Sequence, residues 1–478
     1  MLDLLPPEVP GLGAVAVLVL LPGMLLVRAP WTAVPALSMS FWVLTWWWVP
    51  LEGRTRQLAV VLPVFAFLLL LRLLPKHTVP PPPGYAGPPP EPALTGPTTG
   101  RPPRLRSRAS FFVLGVGVLL LAPVGEWVHA PGREMAFLTT ATRLAVWRDA
   151  LPVGYEPLLP LAPFGVRGSA LSTFAADVSL LSGLEPPRGV VAVTLLAAAL
   201  AVLGLYALLG VHLRPGAAAL GAVLGLGAVR WPGFLAPWGE GGALLALALA
   251  LPAAALMVGH RSRPSAVGAG FLWAAAALAQ PWLTLAVSAV SAFASPVVAR
   301  RWILAFAVAV VLAAPPLVRM TGVLSVQEAQ GALGSLGLAE LVDFGLGIAI
   351  VVLCAALSER LLGEGGTRRG AVALALVGAA LLVLRVHAWF AAGQLPLASR
   401  VELARLVRLT SPADVVCAPP GLVDWVPALA ARAVGVPWGT DGAGDAGRPW
   451  VPPTLLEEST AEPRPACTRN MDASVAPK

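Results

Sequence analysis

The chain has 478 residues, of which 57% are hydrophobic and 12% charged, and its mean hydropathy is +0.77. Soluble domains carry roughly 25% charged residues, so that class is excluded and a polytopic membrane protein is indicated. The formal charge of +8 does not point to nucleic acid, because the arginines stand at the ends of apolar runs, where the positive-inside bias puts them.

A hydrocarbon core of about 30 Å takes about 20 helical residues to cross, and it tolerates only closed backbone hydrogen-bond ladders. The apolar stretches are continuous Leu/Ala/Val runs, not the short alternating segments of a barrel, so the predicted class is an all-α integral membrane protein. The start, MLDLLPPEVP, lacks the basic n-region of a signal peptide, and the first run reads as an uncleaved span. Runs bounded by charge, Pro or Gly predict about twelve transmembrane helices, near 11–27, 32–50, 57–74, 110–125, 189–211, 216–231, 242–259, 265–280, 282–299, 302–318, 338–358 and 370–390. The runs 216–231 and 265–280 are short and Gly/Ala-rich, which fits a re-entrant or a closely packed helix.

Residues 1–74 form an N-terminal three-span addition in this reading, and 75–109 a Pro-rich linker that acts as an extended tether. Lys76, Arg101, Arg104, Arg106 and Arg108 make that linker cytoplasmic. Strict alternation then places His212/Arg214, Arg261/Arg263, Arg300/Arg301 and Arg360/Arg368/Arg369 on the same side. It places the loop 126–188, the interval 232–241, the interval 319–337 and the tail outside. Residues 391–450 read as a small extracytoplasmic α/β unit, with helical periodicity in LASRVELARLVRLT and a short strand at DVVCAPP; 451–478 is polar, Pro-rich and expected to be disordered. Cys417 and Cys467 both fall in this portion and are candidates for a disulfide in an oxidising periplasm; a free buried thiol at Cys417 is the alternative. High Ala, Gly, Pro and Arg content with little Lys matches a GC-rich bacterial source, so the expected location is the bacterial inner (cytoplasmic) membrane.

The longest mixed interruption is 126–188. It offers Glu126, His129 and Glu134, and Glu134 opens EMAFLTTATRLAVWRDAL, an amphipathic helix expected to lie along the interface. Its early acid and its late Arg148 suit the helix dipole. Either these groups flank a span at headgroup depth, or they form an acid/base or metal constellation above the bilayer. Glu-x2-His has no third ligand at a fixed spacing, so no metal site is assigned. Further candidates are Glu240 in RWPGFLAPWGEGG, Arg319 after a Pro pair, and Arg385 and His387 in the last span. No Walker loop, zinc spacing or nucleophile elbow occurs.

Four stretches together resemble the GT-C superfamily of polytopic membrane glycosyltransferases, of the type that uses polyprenyl-phosphate-linked sugars. They are EMAFLTTATRLAVWRDALPVGYEPLLPLAPFG with LSTFAADVSLLSGLEPPRGV, then APWGEGGALLALALALPAAAL, then AQPWLTLAV with Gln280 at a His position. The fourth is DWVPALAAR, through Trp425, Pro427, Ala428, Leu429 and Arg432. The resemblance covers roughly 110–440, with 110–390 as the GT-C-like transmembrane domain. It implies transfer of a sugar from a polyprenyl-phosphate donor to an acceptor on the outer face. An external carboxylate takes the acceptor's proton, and cations stabilise the departing phosphate. The family's catalytic Asp has no Asp counterpart here, so Glu134 or Glu126 is the candidate base beside His129. Arg143, Tyr155, Glu240 and Arg319 are candidates for substrate or phosphate binding. Cofactor use is open, with a divalent cation the one candidate. The expected partners are membrane lipid, the polyprenyl-phosphate-sugar and other membrane subunits. A non-catalytic GT-C-like scaffold or accessory subunit is the alternative. A transporter or flippase is disfavoured, because the two halves show no repeat.

Overall fold

The computed structural model describes residues 8–26, 30–48, 53–73, 108–149, 169–230, 233–235, 239–259, 262–293, 299–321, 338–363, 368–410, 415–418, 422, 424–435 and 469–470. Among these, every one of the twelve apolar runs is helical. In chain order the helices are α1 (Glu8–Leu26), α2 (Val34–Trp48), α3 (Arg54–Leu73), α4 (Arg108–Leu121), α5 (Arg133–Arg148), α6 (Ser169–Ser182), α7 (Pro186–Leu209) and α8 (Pro215–Ala228). They continue as α9 (Glu240–Gly259), α10 (Arg263–Ala279), α11 (Pro281–Phe293), α12 (Ala299–Thr321), α13 (Leu338–Gly363), α14 (Arg368–Ala392) and α15 (Leu397–Leu409). Five of them, within α7, α9, α12, α13 and α14, are long and apolar enough to cross a membrane. The linker 75–107, Tyr155, Cys467 and nearly all of 436–478 lie outside the described residues.

The five divide by what surrounds them. The apolar windows of α7 and α9 are 89% and 94% buried, whereas those of α12, α13 and α14 are only 22%, 17% and 22% buried. Helices α7 and α9 therefore form the protein's own interior, and the other three turn Leu and Val side chains outward. Close approach at the centre depends on small residues. A Cβ at Gly204 of α7 would stand 2.7 Å from the Pro252 ring of α9, and one at Gly225 of α8 3.2 Å from Val351 Cα of α13. The Gly/Ala-rich run 216–231 is thus a closely packed helix, pressed against α13 and α14.

The first two helices share this core, because Leu18, Leu37, Met39 and Trp42 are buried in the same cluster as α7, α9 and α10. Helix α2 also repairs two proline defects. A proline inside a helix leaves the carbonyl four residues earlier without its amide partner. Pro22 does this to Leu18 O, and Pro316 does it to Leu312 O. The indole N–H of Trp42 donates to Leu18 O at 2.9 Å, and that of Trp48 donates to Leu312 O at 2.9 Å.

Asp177 lies on α6, a helix whose residues from Ala170 to Ser179 are all buried. Its carboxylate takes Arg54 Nε at 2.7 Å on Oδ1 and a second guanidinium nitrogen at 2.8 Å on Oδ2, and Trp46 Nε1 at 3.0 Å. Arg54 also stacks over the Trp46 ring, 4.7 Å from its centroid. Arg54 opens α3, and Asp149, the left-handed cap of α5, takes the amides of Gly53 and Arg54 on its carbonyl and that of Thr55 on its carboxylate. One residue thus ends α5 and caps α3.

Candidate functional site

Helix α5 starts after Gly132 and α9 starts after Gly239, both with positive φ (98° and 89°). The two helix starts face each other and exchange acidic side chains. Glu134, in the first turn of α5, accepts the Gly242 amide of α9 at 3.3 Å on Oε1, and a Cβ at Gly239 would meet its other oxygen at 2.8 Å. Glu240, at the first position of α9, lies over Gly132, where a Cβ would come within 2.9 Å of its Oε2. The indole of Trp389, near the end of α14, lies close to the Glu240 carboxylate. Each helix start has free amides and the positive end of a dipole, and each receives the other helix's carboxylate. Larger residues at 132 or 239 would strain the backbone and displace an acid. Two of the sequence-predicted site residues are thereby brought together from 106 positions apart.

His129 is fully buried beside this pair but points elsewhere. Its Nε2 accepts the Leu395 amide at 3.1 Å, so the ring proton sits on Nδ1, which donates to Ala130 O at 3.2 Å. Its carbonyl accepts Gln394 Nε2 at 2.6 Å, and its ring packs 4.2 Å from that of Trp425. Burial, aided by the positive field of Arg400, lowers its pKa from 6.5 to about 4, so the imidazole is neutral at ordinary pH. Both ring nitrogens are engaged, and they hold the loop to the turn between α14 and α15 and to the C-terminal segment.

Arg143 has a comparable attachment. Its Nε and a terminal nitrogen both donate to Ala428 O, at 3.2 and 2.9 Å. Burial lowers its pKa, and the carboxylate of Glu185 opposes that shift. The segment it grips, Val426–Ala430, is a π-helical turn. Arg432 fixes the segment from within, donating to Thr410 Oγ1 and O at 2.8 Å each and to Val407 O at 3.1 Å. Beside the segment, short strands β1 (Val415–Cys417), β2 (Ala433–Gly435) and β3 (Arg469–Asn470) pair in parallel in the order β2-β1-β3.

The amphipathic helix expected along the interface is α5, and its surroundings differ from that expectation. Helices α6 and α7 cover one side, and the C-terminal segment covers another. Met135 through Thr142 are buried apart from Phe137, while Trp147 and Arg148 at its end are exposed. The side that reads as polar consists of small Thr and Ala residues, which a second layer of backbone can approach closely.

Glu126 is exposed on a separate turn, after Pro123, whose carbonyl takes its amide. Arg385 donates to Ala228 O at 3.0 Å and to Val229 O at 2.5 Å, and so satisfies the end of α8. Arg319 belongs to α12, but its side chain lies outside the described residues, as do Tyr155 and the side chains of Cys417 and Cys467. Among the described residues no three His, Cys, Asp or Glu side chains are grouped to hold a metal. Trp389, Gln394 and the Arg54–Asp177 pair were not predicted. Only Asp177 left a trace in sequence, as a lone charge in the apolar stretch LSTFAADVSLL; Arg54 stands in a charged interval beside Glu52 and Arg56.

No protein-family model, no curated protein and no solved structure matches the chain.

Proposed function

We propose that the chain is a GT-C-like membrane glycosyltransferase. In this reading it has about twelve spans, with loop 126–188 and an α/β C-terminal unit outside the bacterial cytoplasmic membrane. It moves a sugar from a polyprenyl-phosphate donor to an acceptor hydroxyl on the outer face. The bond from the sugar's anomeric carbon to phosphate breaks, a bond to the acceptor oxygen forms, and the hydroxyl proton passes to a carboxylate. The supporting observation is the meeting of Glu134 and Glu240 at two helix starts, both only partly buried and so within reach of an acceptor. Glu134 is the preferred base, and Glu126 is the second candidate. General-base removal costs about 10²- to 10⁴-fold. Sugar transfer from a polyprenyl-phosphate donor by purified Glu134→Gln should therefore fall at least about 100-fold while the chain remains monodisperse. Undiminished transfer by the double variant Glu126→Gln/Glu134→Gln refutes the assignment.

A second reading, a non-catalytic scaffold or accessory subunit, draws on the full engagement of His129 and Arg143 in holding the C-terminal segment. It predicts stoichiometric copurification with other membrane subunits and no transfer by the isolated chain.

A further inference from the structure

Helix α15 has two faces with different surroundings. Ser399, Leu403 and Leu406 are buried, the two leucines within the C-terminal core. At about 3.6 residues per turn, Leu397, Val401, Ala404 and Arg408 form a line along the opposite side. There Leu397 is 69% and Val401 58% exposed, and Val407 and Leu409 at the flanks are also open. Arg405 and Arg408 are exposed beside them, and Arg405 makes a long 3.8 Å pair with Glu402.

The helix starts five residues after Ala392, the last residue of α14, which is long and apolar enough to span the membrane. Five residues reach at most about 18 Å, and the His129–Leu395 hydrogen bond fixes that turn. The outward face of α14 carries Leu376, Leu381 and Leu384, and the short turn keeps the start of α15 near the end of that apolar helix. A protein partner fits this face poorly, because it lacks the aromatic anchors that dominate interface energetics. Aliphatic residues flanked by arginine are the pattern of a helix lying in the membrane surface.

We propose that α15 rests on the bilayer, with Leu397 and Val401 in the acyl boundary and Arg405 and Arg408 on the phosphates of anionic lipid headgroups. The C-terminal segment is then attached to the membrane directly, as well as through α14. This inference rests on α14 crossing the membrane and does not depend on glycosyl transfer.

The test uses the full chain with its native cysteines replaced by serine, and one environment-sensitive dye on Val401→Cys or Leu397→Cys. Both positions are exposed, so neither replacement opens the core. The protein is placed in vesicles of phosphatidylcholine, alone or mixed with phosphatidylglycerol, with or without shallow acyl nitroxides. The expected result is blue-shifted emission and about twofold nitroxide quenching at both sites. Arg405→Gln/Arg408→Gln should reduce the quenching in the mixed vesicles and leave it unchanged in phosphatidylcholine alone. Water-like emission without quenching at both sites overturns the proposal, as does energy transfer between dyes on two copies. Quenching of the charge variant equal to that of the chain with both arginines in the mixed vesicles overturns the headgroup contact.

Discussion

Replacing Trp42 by Phe tests whether α2 repairs the proline defect in α1. Phenylalanine keeps a ring in the buried site but removes the indole N–H that donates to Leu18 O at 2.9 Å. Pro22 has no amide to offer that carbonyl, so Trp42→Phe leaves a buried acceptor unsatisfied, at a cost of about 1–3 kcal/mol. The smaller ring adds a packing loss to the total. A second background separates the two contributions. In Pro22→Ala the helix regains the amide at position 22, which can bond Leu18 O within the helix. The hydrogen-bond part of the Trp42→Phe cost then disappears while the packing part remains. The four proteins form a double-mutant cycle with an expected coupling of about 1–2 kcal/mol. Equilibrium unfolding in mixed micelles, followed by helical circular dichroism, gives the four stabilities. If Trp42→Phe costs the same in both backgrounds, the indole is a packing residue and the repair argument fails.

Three further expectations concern the other attachments. Asp177→Ala leaves the Arg54 guanidinium buried without its counter-ion and should cost about 3–5 kcal/mol, whereas Arg54→Met/Asp177→Leu should recover most of that loss in the same unfolding assay. His129 has a folded pKa of about 4, below its ordinary 6.5, so the unfolded chain binds the extra proton between those values. Stability is therefore complete above about pH 6.5 and falls by about 3 kcal/mol as the pH drops to about 4; His129→Gln should flatten that part of the stability–pH curve. At Gly270 a Cβ would press on the carbonyl of Ala305 and stand 2.8 Å from Val308 Cβ, but at Gly268 its nearest neighbour is 3.7 Å away. Gly270→Ala should lower stability by about 1–3 kcal/mol, whereas Gly268→Ala, with room for its methyl inside a helix, should leave stability unchanged or raise it by up to about 1 kcal/mol.

The apolar runs were legible because bilayer thickness sets their length, and helix boundaries such as Pro186–Leu209 and Glu240–Gly259 fall within a few residues of the runs read at 189–211 and 242–259. Periodicity reports the face a residue occupies along its own helix, not the residue it meets across 100 positions. Glu134 and Glu240 could therefore be named singly from sequence, and their exchange between helix starts could not. The same limit hid the indole of Trp42 from Leu18 and the guanidinium of Arg54 from Asp177. His129 is a candidate acid/base group by residue type alone. The Leu395 amide that occupies its Nε2 comes from the turn between α14 and α15, out of reach of any local pattern.

The crossed helix starts also bear on the order of assembly. During synthesis α5 emerges about a hundred residues before Glu240, so its first turn waits for α9 before its partner carboxylate arrives. The Ala428 carbonyl that receives Arg143 and the Leu395 amide that receives His129 come later still. The interval 126–148 thus reaches its final contacts only after residue 428 has been made. A chain interrupted near residue 390 would keep its long apolar helices but leave this interval open, and a quality-control protease could distinguish it from the finished protein at that point.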